Sequence, residues 1–170
     1  MKKNIILIGF MGVGKGTVAR ALAKSSKAYA IDTDDLIESL QNRKIKEIFA
    51  TEGEPYFRDL EKRTAKWLEK SVNDAIISTG GGFYKVENLK KIGTVILLDA
   101  SFEYIYEQIL AHPNAIRKLE KRPLFQDSQK AKKLYNERIP LYKDVADVIV
   151  SIEGKSPQEI AKEILKVTSP

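Results

Sequence analysis

A chain of 170 residues without cysteine fits one domain and rules out both a disulfide framework and a thiolate metal site. Its longest apolar run is too short to cross a bilayer, and Met1, Lys2, Lys3 and Asn4 lead straight into a strand, leaving no room for a signal peptide; a soluble, cytoplasmic protein is expected. The net charge of +6 asks for anionic partners, and because seven Lys or Arg crowd residues 117–133 with Phe125 as the single interleaved aromatic, small anionic substrates are favoured over nucleic acid.

The apolar run Ile5 to Ile8 predicts a buried strand, and Val18, Ala21 and Leu22 predict an amphipathic helix behind it. Between them Gly9, Gly14 and Lys15 fit the G-x-x-x-x-G-K pattern. Its glycines let successive backbone N–H groups converge on phosphate oxygens, the lysine reaches the β and γ phosphates, and the positive end of the helix aims at the same place. Gly16 follows the lysine where a hydroxyl is usual, and Thr17 comes one later. A magnesium ion is therefore held either through water or by Thr17 from a displaced position.

Ala28 to Asp32 reads as a second strand, ending in Asp32, Thr33, Asp34 and Asp35 at the mouth of a helix over Leu36 to Leu40. Thr33 or Asp34 could cap that helix, but capping does not account for three acids in four residues, which repel unless a cation is near. Residues 44 to 70 are expected to be helical with a break near Gly53 and Pro55, and with Phe57, Leu60, Trp67 and Leu68 at helical spacing. Arg58 and Glu61, three apart, make either a solvated surface pair or an arginine oriented for a substrate carboxylate.

Ala75 to Ser78 predicts a third strand that feeds Gly80, Gly81 and Gly82, a turn able to bring a ligand onto the backbone or simply to connect to a helix beginning near Val86. The fourth strand, Thr94 to Leu98, ends at Asp99, which competes with Asp32 for the magnesium role; Asp32 is preferred because Asp34 stands beside it. A helix capped by Ser101 carries a core stripe of Phe102, Ile105, Tyr106, Ile109 and Leu110. From His112 to Gln126 no periodicity is visible. A polar segment of this length reads as a lid or a disordered loop, and a lid over phosphates would be cationic. His112 has no partner type nearby and is assigned to the surface.

Helical spacing resumes at Asp127 or Ser128 through Ala131, Leu134, Tyr135 and Tyr142, interrupted by Arg138, which either snorkels or points into a site. Asp147 to Ser151 reads as a fifth strand. Ser156, Pro157 and Glu159 form a capping box for a last helix with Ile160, Ile164 and Val167 inward. Five strands alternating with helices give a three-layer α/β/α architecture with a five-stranded parallel sheet over one domain, residues 1–170.

Together these pieces resemble the shikimate kinases, small P-loop kinases of aromatic amino-acid biosynthesis. The resemblance runs from Asn4 to about Leu165. It rests on Gly9 to Lys15, Asp32 to Asp34, Phe57 to Glu61, Thr79 to Gly82, Lys121 to Leu124, and Arg138 with Pro140, Leu141 and Tyr142. It implies a P-loop NTPase fold and transfer of the ATP γ-phosphoryl group to the 3-hydroxyl of shikimate, with Mg²⁺ as cofactor. It further implies that Gly12, Val13, Gly14, Lys15, Gly16 and Thr17 hold ATP with Arg122 and Lys155. Asp34 would contact the phosphorylated hydroxyl, while Arg58 and Arg138 clamp the carboxylate beside Gly80, Gly81 and Gly82. Arg122 would arrive with a lid over residues 112–126, and Asp32 with Thr17 would serve the metal. Lys15, Asp34 and Arg122 are the implied catalytic residues, and a monomer with no nucleic-acid or membrane partner is expected. Two departures stand out: Gly16 followed by Thr17 is more typical of adenylate kinases, and Gln108 replaces an arginine that packs on adenine. The alternative is accordingly another small-molecule or nucleoside-monophosphate kinase. Switch GTPases are disfavoured, because neither Asn-Lys-x-Asp nor Asp-x-x-Gly occurs.

Overall fold

Strand β1 (Ile5–Ile8) is apolar throughout and buried from Ile6 onward, as a central parallel strand must be when both faces are covered. The computed structural model describes residues 4–169, so the predicted lead-in over Met1 to Lys3 lies outside the described residues. With β2 (Tyr29–Asp32), β3 (Ala75–Ser78), β4 (Thr94–Asp99) and β5 (Val148–Ser151) it forms one parallel sheet in the order β2-β3-β1-β4-β5. The inner strand β3 is buried along its length, whereas β2 and β5 expose residues as edge strands do.

The connections follow from this order. β1 crosses to β2 in one direction through α1 (Lys15–Ser26). The next connection returns through α2 (Thr33–Gln41), α3 (Ile45–Glu52) and α4 (Glu54–Ser71). The two after that continue the same way, through α5 (Leu89–Ile92), and then through α6 (Phe102–Ala111), α7 (Ala115–Glu120) and α8 (Ser128–Val145). Right-handed crossovers therefore put α1 on one face and α4, α5 and α8 on the other, and α9 (Pro157–Thr168) returns to pack on α1. Three layers result. Neighbouring strands β1 and β3 send their chains in opposite directions, which opens a crevice at their carboxyl ends, where α/β sheets bind ligands. The phosphate loop leaves β1 there and the glycine triplet leaves β3.

Asn4 locks the other end of the sheet. Fully buried, it donates from Nδ2 to the carbonyls of Val72 at 2.8 Å and Ile92 at 2.9 Å, and accepts at Oδ1 from the Ala75 N–H at 3.0 Å. A second, smaller core of Ile37, Ile48, Phe57 and Leu60, joined by Ile45 and Phe49, makes α2, α3 and α4 one packing unit beside the main core.

Several local expectations change. The helix expected near Val86 is a 3₁₀ turn, Phe83–Lys85, followed by the single turn of α5. Residues 112–126, expected to lack regular structure, contain α7 and a second 3₁₀ turn, Pro123–Gln126. A buried Phe125 anchors that turn against Phe10, Phe102 and Tyr106. Trp67, Leu110 and Val167, placed inward by their spacing, are exposed, because each lies at the rim of its helix's covered stripe. Among the described residues no helix is long and apolar enough to cross a membrane.

Candidate active site

The phosphate loop is built by its backbone. Gly14, at φ 98°, takes a left-handed conformation that a side chain would resist, and it starts α1 with no side-chain cap, so the first N–H groups of the helix remain free to meet an anion. Lys15 folds back across the loop, its Nζ donating to the Gly9 carbonyl at 2.7 Å and the Phe10 carbonyl at 3.2 Å. Burial lowers its pKa from 10.5 to about 8; Asp34 and Asp32 oppose that shift, and Arg122 and Arg138 reinforce it. Lys15, Asp32, Asp34, Arg122 and Arg138 thus share one electrostatic neighbourhood.

The acid cluster divides its labour. Asp32, rather than Thr33 or Asp34, caps α2: its Oδ1 accepts from the N–H groups of Asp34 at 2.9 Å and Asp35 at 3.2 Å. Thr33 is fully buried and its Oγ1 accepts from the Gly80 N–H at 3.1 Å, tying β2 to the glycine triplet. Asp34, freed from capping, is held in the interior with Oδ1 buried and without a protein partner. Burial, then Asp32 and Glu61, push its pKa from 3.8 up to about 7, and Lys15 moderates the rise. A carboxyl whose proton affinity is raised in this way, facing a crevice, can take a proton from a bound hydroxyl.

The triplet explains itself through what stands opposite each glycine. A Cβ on Gly80 would sit 2.7 Å from Asp34 Oδ1, one on Gly81 3.0 Å from Arg138 Nη1, and one on Gly82 would collide with the Arg58 guanidinium. Three absent side chains make room for three charged ones. Arg138 therefore points into the crevice rather than snorkelling to solvent. Arg58 donates to Glu61 Oε2 at 2.6 Å and to Glu54 Oε1 at 3.0 Å. The Arg58–Glu61 pair is no solvated surface contact, since the Glu61 side chain is only 2% exposed and its Oε1 also lacks a partner. Burial raises the Glu61 pKa against the pull of Arg58. Such a carboxylate fixes the guanidinium's orientation while leaving part of its fork for a second anion.

Arg122 begins the 3₁₀ turn that Phe125 anchors, and its carbonyl accepts from the Phe125 N–H at 2.9 Å. Burial lowers its pKa, consistent with a guanidinium drawn in from solvent. Thr17 is exposed and its Oγ1 accepts from Arg20 at 3.3 Å. Lys155 lies in the turn after β5 with its ammonium engaged by Glu163 at 2.6 Å, outside the Lys15 neighbourhood. Gln108 is exposed on α6, and Asp99 ends β4 with its carbonyl accepting from Ile152 N–H. His112 closes α6 and accepts at Nδ1 from Asn114 N–H, a structural role. Among the described residues no group of three or more His, Asp or Glu side chains could hold a metal. One hydroxyl and one carboxylate already partly used as a cap suit a magnesium ion that keeps mostly phosphate and water ligands. Thr33, expected only as a possible helix cap, and Tyr142, expected only as part of a helical pattern, both bind the glycine triplet; the spacing of Tyr142 four residues after Arg138 was the available signal for the latter.

The family model described as shikimate kinase matches residues 11–169. A shikimate kinase of Helicobacter hepaticus is 41% identical over 164 residues, covering 96% of this chain and 95% of the relative. One of Persephonella marina is 42% identical over 168 residues, covering 96% and 97%. Among solved structures, shikimate kinase from Acinetobacter baumannii in complex with shikimate superposes with a TM-score of 0.84 at 32% identity, covering 98% of this chain and 93% of that one. The Aquifex aeolicus shikimate kinase gives 0.75 at 38%, covering 96% and 94%.

Proposed function

The chain belongs to the shikimate kinase family, and from that premise we propose how its own residues carry the transfer of a phosphoryl group from ATP to the 3-hydroxyl of shikimate. Gly12, Val13, Gly14, Gly16 and Thr17 offer backbone donors to the ATP phosphates, and Lys15 turns from the Gly9 and Phe10 carbonyls to their oxygens. The added negative charge restores a full ammonium, because it offsets the desolvation that lowers Lys15 to about 8.

Asp34 accepts the proton of the attacking hydroxyl while the new phosphorus–oxygen bond forms and the bond to ADP breaks. Arg58 and Arg138 grip the shikimate carboxylate over Gly81 and Gly82, with Gly80 letting the ring approach Asp34. Arg122 neutralises charge on the transferring group from a lid over residues 112–126, and Lys155 borders the nucleotide. Thr17 and Asp32 would hold Mg²⁺, which supplies charge neutralisation at the phosphate oxygens. The whole chain acts as a single, monomeric P-loop domain in the cytoplasm.

The observation that carries this reading is the match of three adjacent glycines to Asp34, Arg138 and Arg58. An ADP-release assay with ATP and Mg²⁺ tests it: release should depend on shikimate and should fall steeply when the shikimate carboxylate is reduced to an alcohol. Equal release with and without shikimate would defeat the reading.

A further inference from the structure

Tyr142 stands apart from the roles above, yet it is the largest fully buried side chain of the described protein. It follows Arg138 by four residues on α8 and so shares its helix face. Its hydroxyl donates to the Gly81 carbonyl at 2.6 Å, and its ring meets Tyr84 edge-on with centroids 4.8 Å apart. Measured from a Cβ built on Gly81, Arg138 Nη1 lies at 3.0 Å and the Tyr142 hydroxyl at 3.8 Å, so carbonyl, phenol and guanidinium form one cluster. Arg58 is already committed to Glu54 and Glu61, whereas among the described residues no carboxylate pairs with Arg138.

A guanidinium without a carboxylate partner beside a half-buried carbonyl has an obvious competing acceptor, because carbonyl oxygens accept readily and desolvation strengthens the bond. We propose that Tyr142 is a positioning residue for the substrate carboxylate: by occupying the Gly81 carbonyl it fixes the glycine loop at the distance Arg138 requires and keeps the guanidinium from turning inward onto that carbonyl. Burial pushes the phenol up to about 12, so the hydroxyl remains a donor at any working pH. The proposal rests on reading Arg138 as a carboxylate ligand.

The full-length chain tests it with Tyr142→Phe, Arg138→Ala and the double variant, by equilibrium titration with shikimate and by steady-state kinetics. Tyr142→Phe keeps the ring and its packing and removes one hydrogen bond. It should weaken shikimate binding about five-fold, leave KM for ATP unchanged and alter kcat little. In the Arg138→Ala background the same change should cost less than about two-fold, since the group being positioned is gone. Wild-type shikimate affinity in Tyr142→Phe, a parallel rise in KM for ATP, or the full loss persisting without Arg138 would each overturn the proposal while leaving the arginine clamp intact. Arg138→Ala without effect on shikimate affinity would overturn the clamp and this proposal together.

Discussion

Gly82→Ala is the smallest change that should dismantle the carboxylate grip. Gly82 has φ −105° and ψ 0°, a conformation open to alanine, so the backbone itself offers no objection. The new methyl would collide with Arg58, with Cζ and Nη2 both at 2.6 Å. Because a guanidinium is the far end of a flexible side chain, it swings away rather than forcing the loop to move. That displacement removes a charge-assisted contact worth about 1.5–3 kcal/mol, or roughly 10- to 150-fold in kcat/KM for shikimate. It also strips Glu61 of its 2.6 Å partner. Burial already raises the Glu61 pKa, so the melting temperature should drop more at pH 8, where the stranded carboxylate is charged, than at pH 5. Steady-state kinetics with shikimate varied at saturating ATP, alongside thermal melts at both pH values, supply the measurement. Gly81→Ala, with 3.0 Å to Arg138 Nη1, should be milder, and Gly80→Ala should strike kcat through Asp34 instead. Wild-type kcat/KM in Gly82→Ala, or losses that fall equally on ATP and shikimate, would refute the reasoning.

Asp34→Asn should abolish turnover yet stabilise the ligand-free protein. A carboxyl raised from 3.8 to about 7 favours the fold fully below pH 3.8 and loses that advantage as pH rises through 7, so the gain in melting temperature should be larger at pH 8 than at pH 5. With ATP saturating, the pH profile of kcat/KM for shikimate should rise with an apparent pKa near 7, the value to which burial brings Asp34; a flat profile from pH 6 to 9 would contradict it. Arg122→Ala should lower kcat far more than it raises KM for shikimate, and Arg122→Lys should rescue poorly because the planar fork is lost; a pure KM effect would remove Arg122 from the chemistry. Asn4→Leu leaves the Val72 and Ile92 carbonyls and the Ala75 N–H unpaired in the interior, costing about 3 kcal/mol or more of stability, while kcat of the fraction still folded stays near wild type in a low-temperature assay.

The sequence by itself determined the features that are local. Gly9 to Lys15 specify a phosphate loop because backbone conformation and residue type suffice for it, and Ile5–Ile8 or Ala75–Ser78 can be little else than covered parallel strands. Ser101 and the Ser156 and Glu159 box cap their helices as their spacing predicts. Tertiary structure decided everything that depends on what covers a face. Three-residue spacing pairs Arg58 with Glu61 equally well in water or in the interior, and only the packing of α4 against the crevice makes Glu61 a buried partner. The same holds for Trp67, Leu110 and Val167, whose periodicity identifies a helix face without identifying its neighbour. Residues 115–120 bury no side chain fully, yet they form a helix next to a turn whose Phe125 sits against Phe10, with Leu119 packed on the core. Gly80, Gly81 and Gly82 read as a flexible turn until Asp34, Arg138 and Arg58 arrive from three separate elements to fill the space their side chains would have taken. Helical and strand periods are fixed within one turn of chain, whereas such fillings join residues as far apart as Gly81 and Tyr142, which only the assembled fold brings within a hydrogen bond.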